Sequence, residues 1–328
     1  MSAELAAATP QSAAQASPGR NCPLSYRYRP SEFRRDPEVV AGAIYVVGGL
    51  YGNVEALHAI GAMVAEEAGA AALVFNGDFH WFDVAREDFL AVNASVLAHP
   101  ALRGNVETEI AGEESGAGCG CAYPADVSDA EVSRSNRILE RLRDTAHEFP
   151  QLREGLGRLP MNLVAQVGDA RVGIVHGDAS SLAGWGFAHD RLDDPRRRRW
   201  IEGAFRDSGV DVFACSHTCL PALRSFAFAS GTGVVANNGA AGMPNFSGKR
   251  SGLVTRIGIE PHGGAAALYG MQLRGVHVEA LEVTYDATRW AERFLAAWPE
   301  RSPAHDSYWR RISEGPRFTV EDARPRAA

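Results

Sequence analysis

The chain is expected to fold as an α/β protein, and three observations carry this. Short apolar runs alternate with segments of helical period, as a layered β-α-β architecture requires. Several of those runs end abruptly in polar residues ("FNGD", "LRGN", "IVHGD", "ACSHT"), the pattern of strands whose carboxyl ends meet a ligand. The 328 residues, 45% of them hydrophobic, suffice for one large α/β domain or two small ones.

Residues 43–48 (AIYVVG) read as a buried strand, 54–69 as a helix, 71–78 (AALVFNGD) as a second buried strand and 86–100 as a second helix. The glycine-rich stretch 112–129 has no period and reads as a loop. Residues 130–149 form a strongly amphipathic helix, with Asp129 as its expected N-cap. Residues 162–178 read as two strands joined at a Gly-Asp turn. Further strands are expected within 210–218, 232–246, 252–260, 265–273 and 277–286. Two short helices close the chain. The aromatic and basic "SYWRRISEG" (307–315) is expected outside the core domain or at an oligomer contact.

Composition excludes some classes. The net charge of −7 argues against general nucleic-acid binding, and "RRRRW" (196–200) reads as a solvated helix start. No run of 18 apolar residues suggests a membrane span. Residues 1–20, rich in Ala, Ser and Gln, read as a disordered tail without the features of an export signal. Five cysteines then point to reduced thiols and a cytoplasmic protein.

Asp78, Asn105, His176 and His217 each stand where an apolar run ends, so they are expected to meet at one sheet edge. A carboxylate, an amide oxygen and two imidazoles suit Mn, Fe or Zn better than Ca or Mg. The motifs "GD" (77–78), "GNVE" (104–107), "HGD" (176–178) and "SHTCLP" (216–221), in this order, resemble those of the calcineurin-like metallophosphoesterases. The resemblance covers about residues 42–286. It implies a four-layer α/β/β/α sandwich of two mixed sheets and a divalent metal cofactor. It also implies a phosphorylated small-molecule substrate.

The opening motif departs from the family pattern. Where that pattern has S-D-x-H-G-N, this chain has Gly48-Gly49-Leu50-Tyr51-Gly52-Asn53, and the last histidine of GHxH is Cys219. By the resemblance, one metal position keeps all its ligands (Asp78, Asn105, His176, His217), and the other has lost an Asp and a His outright. The expectation is therefore one metal per chain and a metal-dependent phosphoester hydrolase with an atypical site. The competing expectation is an inactive relative that binds a phosphorylated ligand or a partner. A rebuilt second site would use Cys219 with Cys119 or Cys121. Tyr51, Asn53, His80 and His189 are the candidate substrate contacts, and His80 is also a candidate general acid. A dinucleotide-binding turn at 46–53 is disfavoured, because position 47 is Val where the fingerprint needs Gly. The domain plan is thus a largely disordered tail (1–41), a metallophosphoesterase-like domain (42–286) and a helical extension (287–328).

Overall fold

The computed structural model describes residues 17–67, 69–113, 116–229, 231–264 and 267–327. Its strands, in chain order, are β1 Val39–Ala41, β2 Ala43–Val47, β3 Ala71–Asn76, β4 Ala101–Leu102, β5 Asn162–Val167, β6 Ala170–Val175, β7 Val212–Cys215, β8 Ala222–Phe228, β9 Gly231–Asn237, β10 Gly252–Gly258, β11 Tyr269–Leu273, β12 Val276–Val283 and β13 Arg326–Ala327. Its main helices are α1 Val54–Ala65, α2 Arg86–Val96, α3 Asn105–Ala111, α4 Asp129–His147, α5 Pro150–Arg158, α6 His189–Leu192, α7 Arg198–Ser208, α8 Ala287–Ala297 and α9 Pro303–Glu314.

The strands form two mixed sheets, ordered β11-β12-β10-β2-β3-β4 and β1-β5-β6-β7-β9-β8-β13. Side-chain alternation explains how they stack. Ile44 and Val46 of β2 face Ile174, Val212 and Ala236 of the other sheet, closing a core between the two. Tyr45 and Val47, on the opposite face, pack under helices through Leu57, Ile60, Phe89 and Leu142. The outer face of the seven-stranded sheet is covered by Ile201, Ala204 and Phe205 of α7 and by Tyr26, Tyr28 and Phe33. The result is the expected four-layer α/β/β/α sandwich.

Two boundaries differ from the sequence reading. Residues 1–16 lie outside the described residues, but the chain from 17 to 41 is folded rather than a tail. Tyr26 and Phe33 are fully buried, and β1 pairs in parallel with β5. The C-terminal segment is no detachable extension either. Trp290, Phe294, Trp298 and Ile312 are buried in the helical core, and β13 extends the seven-stranded sheet beside β8. Both segments contribute large apolar side chains, and covering the sheets outweighs their polar surroundings in sequence. A smaller correction concerns α4, whose N-cap is Ser128: its side chain accepts a hydrogen bond from the Glu131 amide. Among the described residues no helix is long and apolar enough to cross a membrane.

Candidate metal centre and its cavity

Parallel strands bring the motifs to one edge. In one sheet β2, β3 and β4 run side by side, and the loops after them carry Gly48–Asn53, Asp78 and Asn105. In the other sheet β6 and β7 are parallel neighbours, and His176 and His217 follow them directly. The loops pack backbone against backbone. A Cβ at Gly77, whose φ is +89°, would lie 2.5 Å from the Gly104 amide nitrogen; one on Gly104 would lie 2.3 Å from Asp78 Oδ1. Only glycine permits that approach.

Three ligand-type atoms converge on His176 Nε2. This nitrogen lies 3.1 Å from Asn105 Oδ1, 3.1 Å from His217 Nδ1 and 3.3 Å from Asp78 Oδ2. The tautomers follow from the outer contacts. His176 Nδ1 donates to the Asn76 carbonyl at 2.9 Å, and His217 Nε2 donates to the Cys121 carbonyl at 3.2 Å. The Asn105 amide nitrogen donates to the Cys119 carbonyl at 2.9 Å, which turns its oxygen inward. In the neutral form, therefore, two imidazole lone pairs, an amide oxygen and a carboxylate point at one another with no proton between them. Such a set suits a cation. Backbone carbonyls behind both imidazoles are the kind of outer contact that orients metal-ligating histidines. The residues thus fit a divalent metal, and Asp78, His176 and His217 are a group that could hold one.

Electrostatics agree. Burial and the neighbouring His176 push His217 down to about 3, so it stays neutral and able to ligate. Burial works against the charged form of His176, but the Asp78 carboxylate outweighs it and raises His176 overall. Burial likewise opposes ionisation of Asp78, yet His176 and His217 hold it below the usual carboxylate range.

Beside this cluster lies a cavity of about 230 Å³ whose lining includes Asp78, Asn105 and His217 together with Tyr51, Cys219 and Arg311. Trp81, Tyr123, Trp185 and Tyr308 form aromatic walls. Among the described residues, four of the seven non-glycine residues with positive φ stand at this site: Tyr51, Asp78, His217 and Cys219. Backbone strain concentrated in one place is typical of functional sites.

The structure brings some expected substrate contacts to the cavity and not others. Tyr51 lines it, with its hydroxyl 2.9 Å from Cys219 Sγ. Asn53 does not reach it: the side chain caps α1 at the Ala56 amide and donates to the Gly242 carbonyl. His80 is also elsewhere, held by Asp83 at 2.6 Å and stacked on Phe89, so it is not placed to protonate a leaving group there. His189 packs edge-on against Phe318, off the cavity. Cys219 is no ligand in this arrangement. Its sulfur is outside the converging donor set, and burial holds its thiol in the protonated form. The Cys119 and Cys121 sulfurs face each other and stand outside the converging donor set, against the expectation of a rebuilt thiolate site.

Glu107 went unnoticed in the sequence although it belongs to "GNVE". Its buried carboxylate accepts from the amides of Asp78, Gly104 and His80, tying the two loops together. The loop after His176 reaches the cavity through the Trp185 indole rather than His189; its Nε1 donates to the Cys121 carbonyl. Tyr308 and Arg311 come from the segment "SYWRRISEG", which offered no chemical signal of its own.

No protein-family model and no curated protein match the chain. Solved structures do. A hypothetical protein of Pyrococcus horikoshii OT3 is similar over 85% of this chain and 100% of its own, at 16% identity and a TM-score of 0.56. A metallophosphoesterase from Sphaerobacter thermophilus is similar over 84% of this chain and 100% of its own, at 16% identity and a TM-score of 0.49. With its two mixed sheets and helical outer layers, the chain shares the fold of the Pyrococcus protein, and its ordered strand-end motifs resemble those of the calcineurin-like metallophosphoesterases.

Proposed function

We propose that the protein is a metal-dependent phosphoester hydrolase that works with one divalent cation, Mn, Fe or Zn, held by Asp78, Asn105, His176 and His217. One observation carries the reading: Asn105 Oδ1, His217 Nδ1 and Asp78 Oδ2 all lie within 3.3 Å of His176 Nε2, so two imidazoles, a carboxylate and an amide oxygen converge on one point. A cation bound there polarises a phosphoryl oxygen and acidifies water. The chain's residues do the rest. Asp78 supplies negative charge and His217 stays neutral, while the carbonyls of Asn76 and Cys121 fix both imidazoles. The aromatic walls limit bulk water around the ester.

The test is hydrolysis of p-nitrophenyl phosphate and bis(p-nitrophenyl) phosphate before chelation, after it, and after each metal is returned. Activity should vanish with chelator and return with metal. Asp78→Asn and His217→Gln should each lower kcat/KM by roughly 100-fold or more, as losing electrostatic stabilisation of developing charge does.

A second reading has its own support. Tyr51 and Cys219 are hydrogen-bonded where the family pattern has metal ligands, and Val106 follows Asn105 where that pattern has a histidine. On this reading the chain binds a phosphorylated ligand or partner without cleaving it. Metal-loaded protein that binds phosphate and turns over neither ester would favour it.

A further inference from the structure

Arg311 is the cation that the cavity keeps. It stands on α9, and its guanidinium is held from two sides: Nε donates to the Pro244 carbonyl at 2.9 Å and Nη2 to the Cys219 carbonyl at 2.7 Å. Among the described residues no carboxylate pairs with it, although the neighbouring Arg310 is paired with Glu314. Glu131, an acid on the cavity lining, is engaged by Arg134. The positive field of Arg311 also reaches the Tyr51 hydroxyl and the Cys219 thiol, where it opposes the effect of burial. An anchored guanidinium facing a cavity without an acid partner is suited to an oxyanion, which its planar fork grips through two N–H groups.

The location matters as much as the charge. Tyr51 and Cys219 occupy the positions at which the sequence departs from the two-metal pattern; Arg311 bonds the Cys219 carbonyl, and its charge reaches Tyr51. The same cavity is lined by Asp78 and His217. Its walls include the rings of Trp81, Tyr123, Trp185 and Tyr308, which favour a flat ring over a flexible chain.

We propose that Arg311 and the Tyr51 hydroxyl form an oxyanion subsite in place of the missing metal position, and that the cavity takes a phosphate ester of a flat aromatic group. The subsite rests on the hydrolase reading for its catalytic meaning, but its binding role can be measured without turnover.

The experiment is calorimetric titration of the full chain with inorganic phosphate, phenyl phosphate and glycerol 1-phosphate, with metal content measured on every sample. Wild type should bind phenyl phosphate about 10-fold or more tightly than glycerol 1-phosphate. Arg311→Met should weaken all three by roughly 10-fold or more while metal content stays at the wild-type value. Arg311→Lys should fall between, since it keeps the charge and loses the fork. Because Arg311→Met also removes two carbonyl contacts, Tyr51→Phe serves as the second variant, with a few-fold loss expected. Metal-free wild type should still bind phosphate, more weakly and in an Arg311-dependent way. That arm separates the two claims: a failed metal site leaves this dependence intact. Unchanged phosphate affinity in folded Arg311→Met and Tyr51→Phe proteins would overturn the subsite. Equal affinity for phenyl and glycerol phosphates would overturn the aromatic assignment.

Discussion

The Tyr51 hydroxyl lies 2.9 Å from the Cys219 sulfur, joining two residues 168 positions apart in the chain. Both have positive φ, and both stand where the family pattern carries metal-binding histidines. The pair closes the part of the site where the family pattern would place its other set of metal ligands.

The pair also dictates how a second metal position is restored. A Cβ added at Gly49 would lie 2.9 to 3.1 Å from ring atoms of Tyr51, so Gly49→Asp alone drives a side chain into the ring. Shortening residue 51 removes the obstacle. The double variant Gly49→Asp/Tyr51→His is expected to raise metal content above that of wild type, whereas Gly49→Asp alone should be destabilised by about 1–2 kcal/mol, the usual cost of a side chain in left-handed backbone. Elemental analysis and urea unfolding of the three proteins test this. Unchanged metal in a folded double variant would refute the view of Gly48–Asn53 as a metal loop that lost its ligands.

Glu107 holds the loops of Asp78 and Asn105 in register through three backbone amides. Glu107→Gln keeps the shape but turns an amide NH2 toward N–H donors. The expected cost is about 2–4 kcal/mol, from charge-assisted bonds lost in a buried place. Metal affinity should fall with stability, because Asp78 and Asn105 lose their common tether. Urea unfolding and metal titration measure the two effects. A variant as stable as wild type would remove Glu107 from the account.

Acid sensitivity should come partly from a buried ion pair far from the cavity. Arg256 bonds Glu67 at 2.6 Å and Glu279 at 2.6 Å. Its hydrogen bonds hold the Glu67 carboxyl below the ordinary range, in spite of burial. A carboxyl depressed in the folded state adds stability that is fully present above its unfolded pKa and is lost as pH falls through the folded one. Glu67→Gln should therefore be about 3 kcal/mol less stable than wild type at pH 7, and the gap should narrow below about pH 4.5. Unfolding free energies at pH 7, 5 and 3 provide the check; a constant gap would mean that Glu67 is not the titrating group.

Phe294 tests the C-terminal segment. It is fully buried and meets Phe82 edge-on at 5.1 Å, beside Trp290 and Trp309. Phe294→Ala should cost about 3–5 kcal/mol, as loss of a core aromatic does. A thermal midpoint near that of wild type would return residues 287–328 to the status of an appendage.

Much of this architecture was legible because strand and helix periods were strong where both faces were committed. Residues 43–48 and 71–75 are apolar throughout because their strands face another sheet on one side and helices on the other. The converging ligands were legible too, since each follows a strand end directly. What lies between the motifs was harder. Strand β8 breaks its apolar pattern with Arg224, a fully buried guanidinium held by Asp193 and by the carbonyls near β13, so its partners lie far away in sequence. His80 looked reactive beside Asp83 and "GD", yet a turn of the chain sends it into the core against Phe89. Arg311 had no local signal because its partners, Pro244 and Cys219, come from loops of the main sandwich.

The central claim is that the site retains one metal position and has lost the other. The most direct test is elemental analysis of metal per chain in protein purified without chelator and then offered Mn, Fe and Zn. The account predicts about one ion per chain in wild type and essentially none in Asp78→Asn/His217→Gln. Wild-type protein that holds no metal after loading, or about two ions per chain, would contradict it.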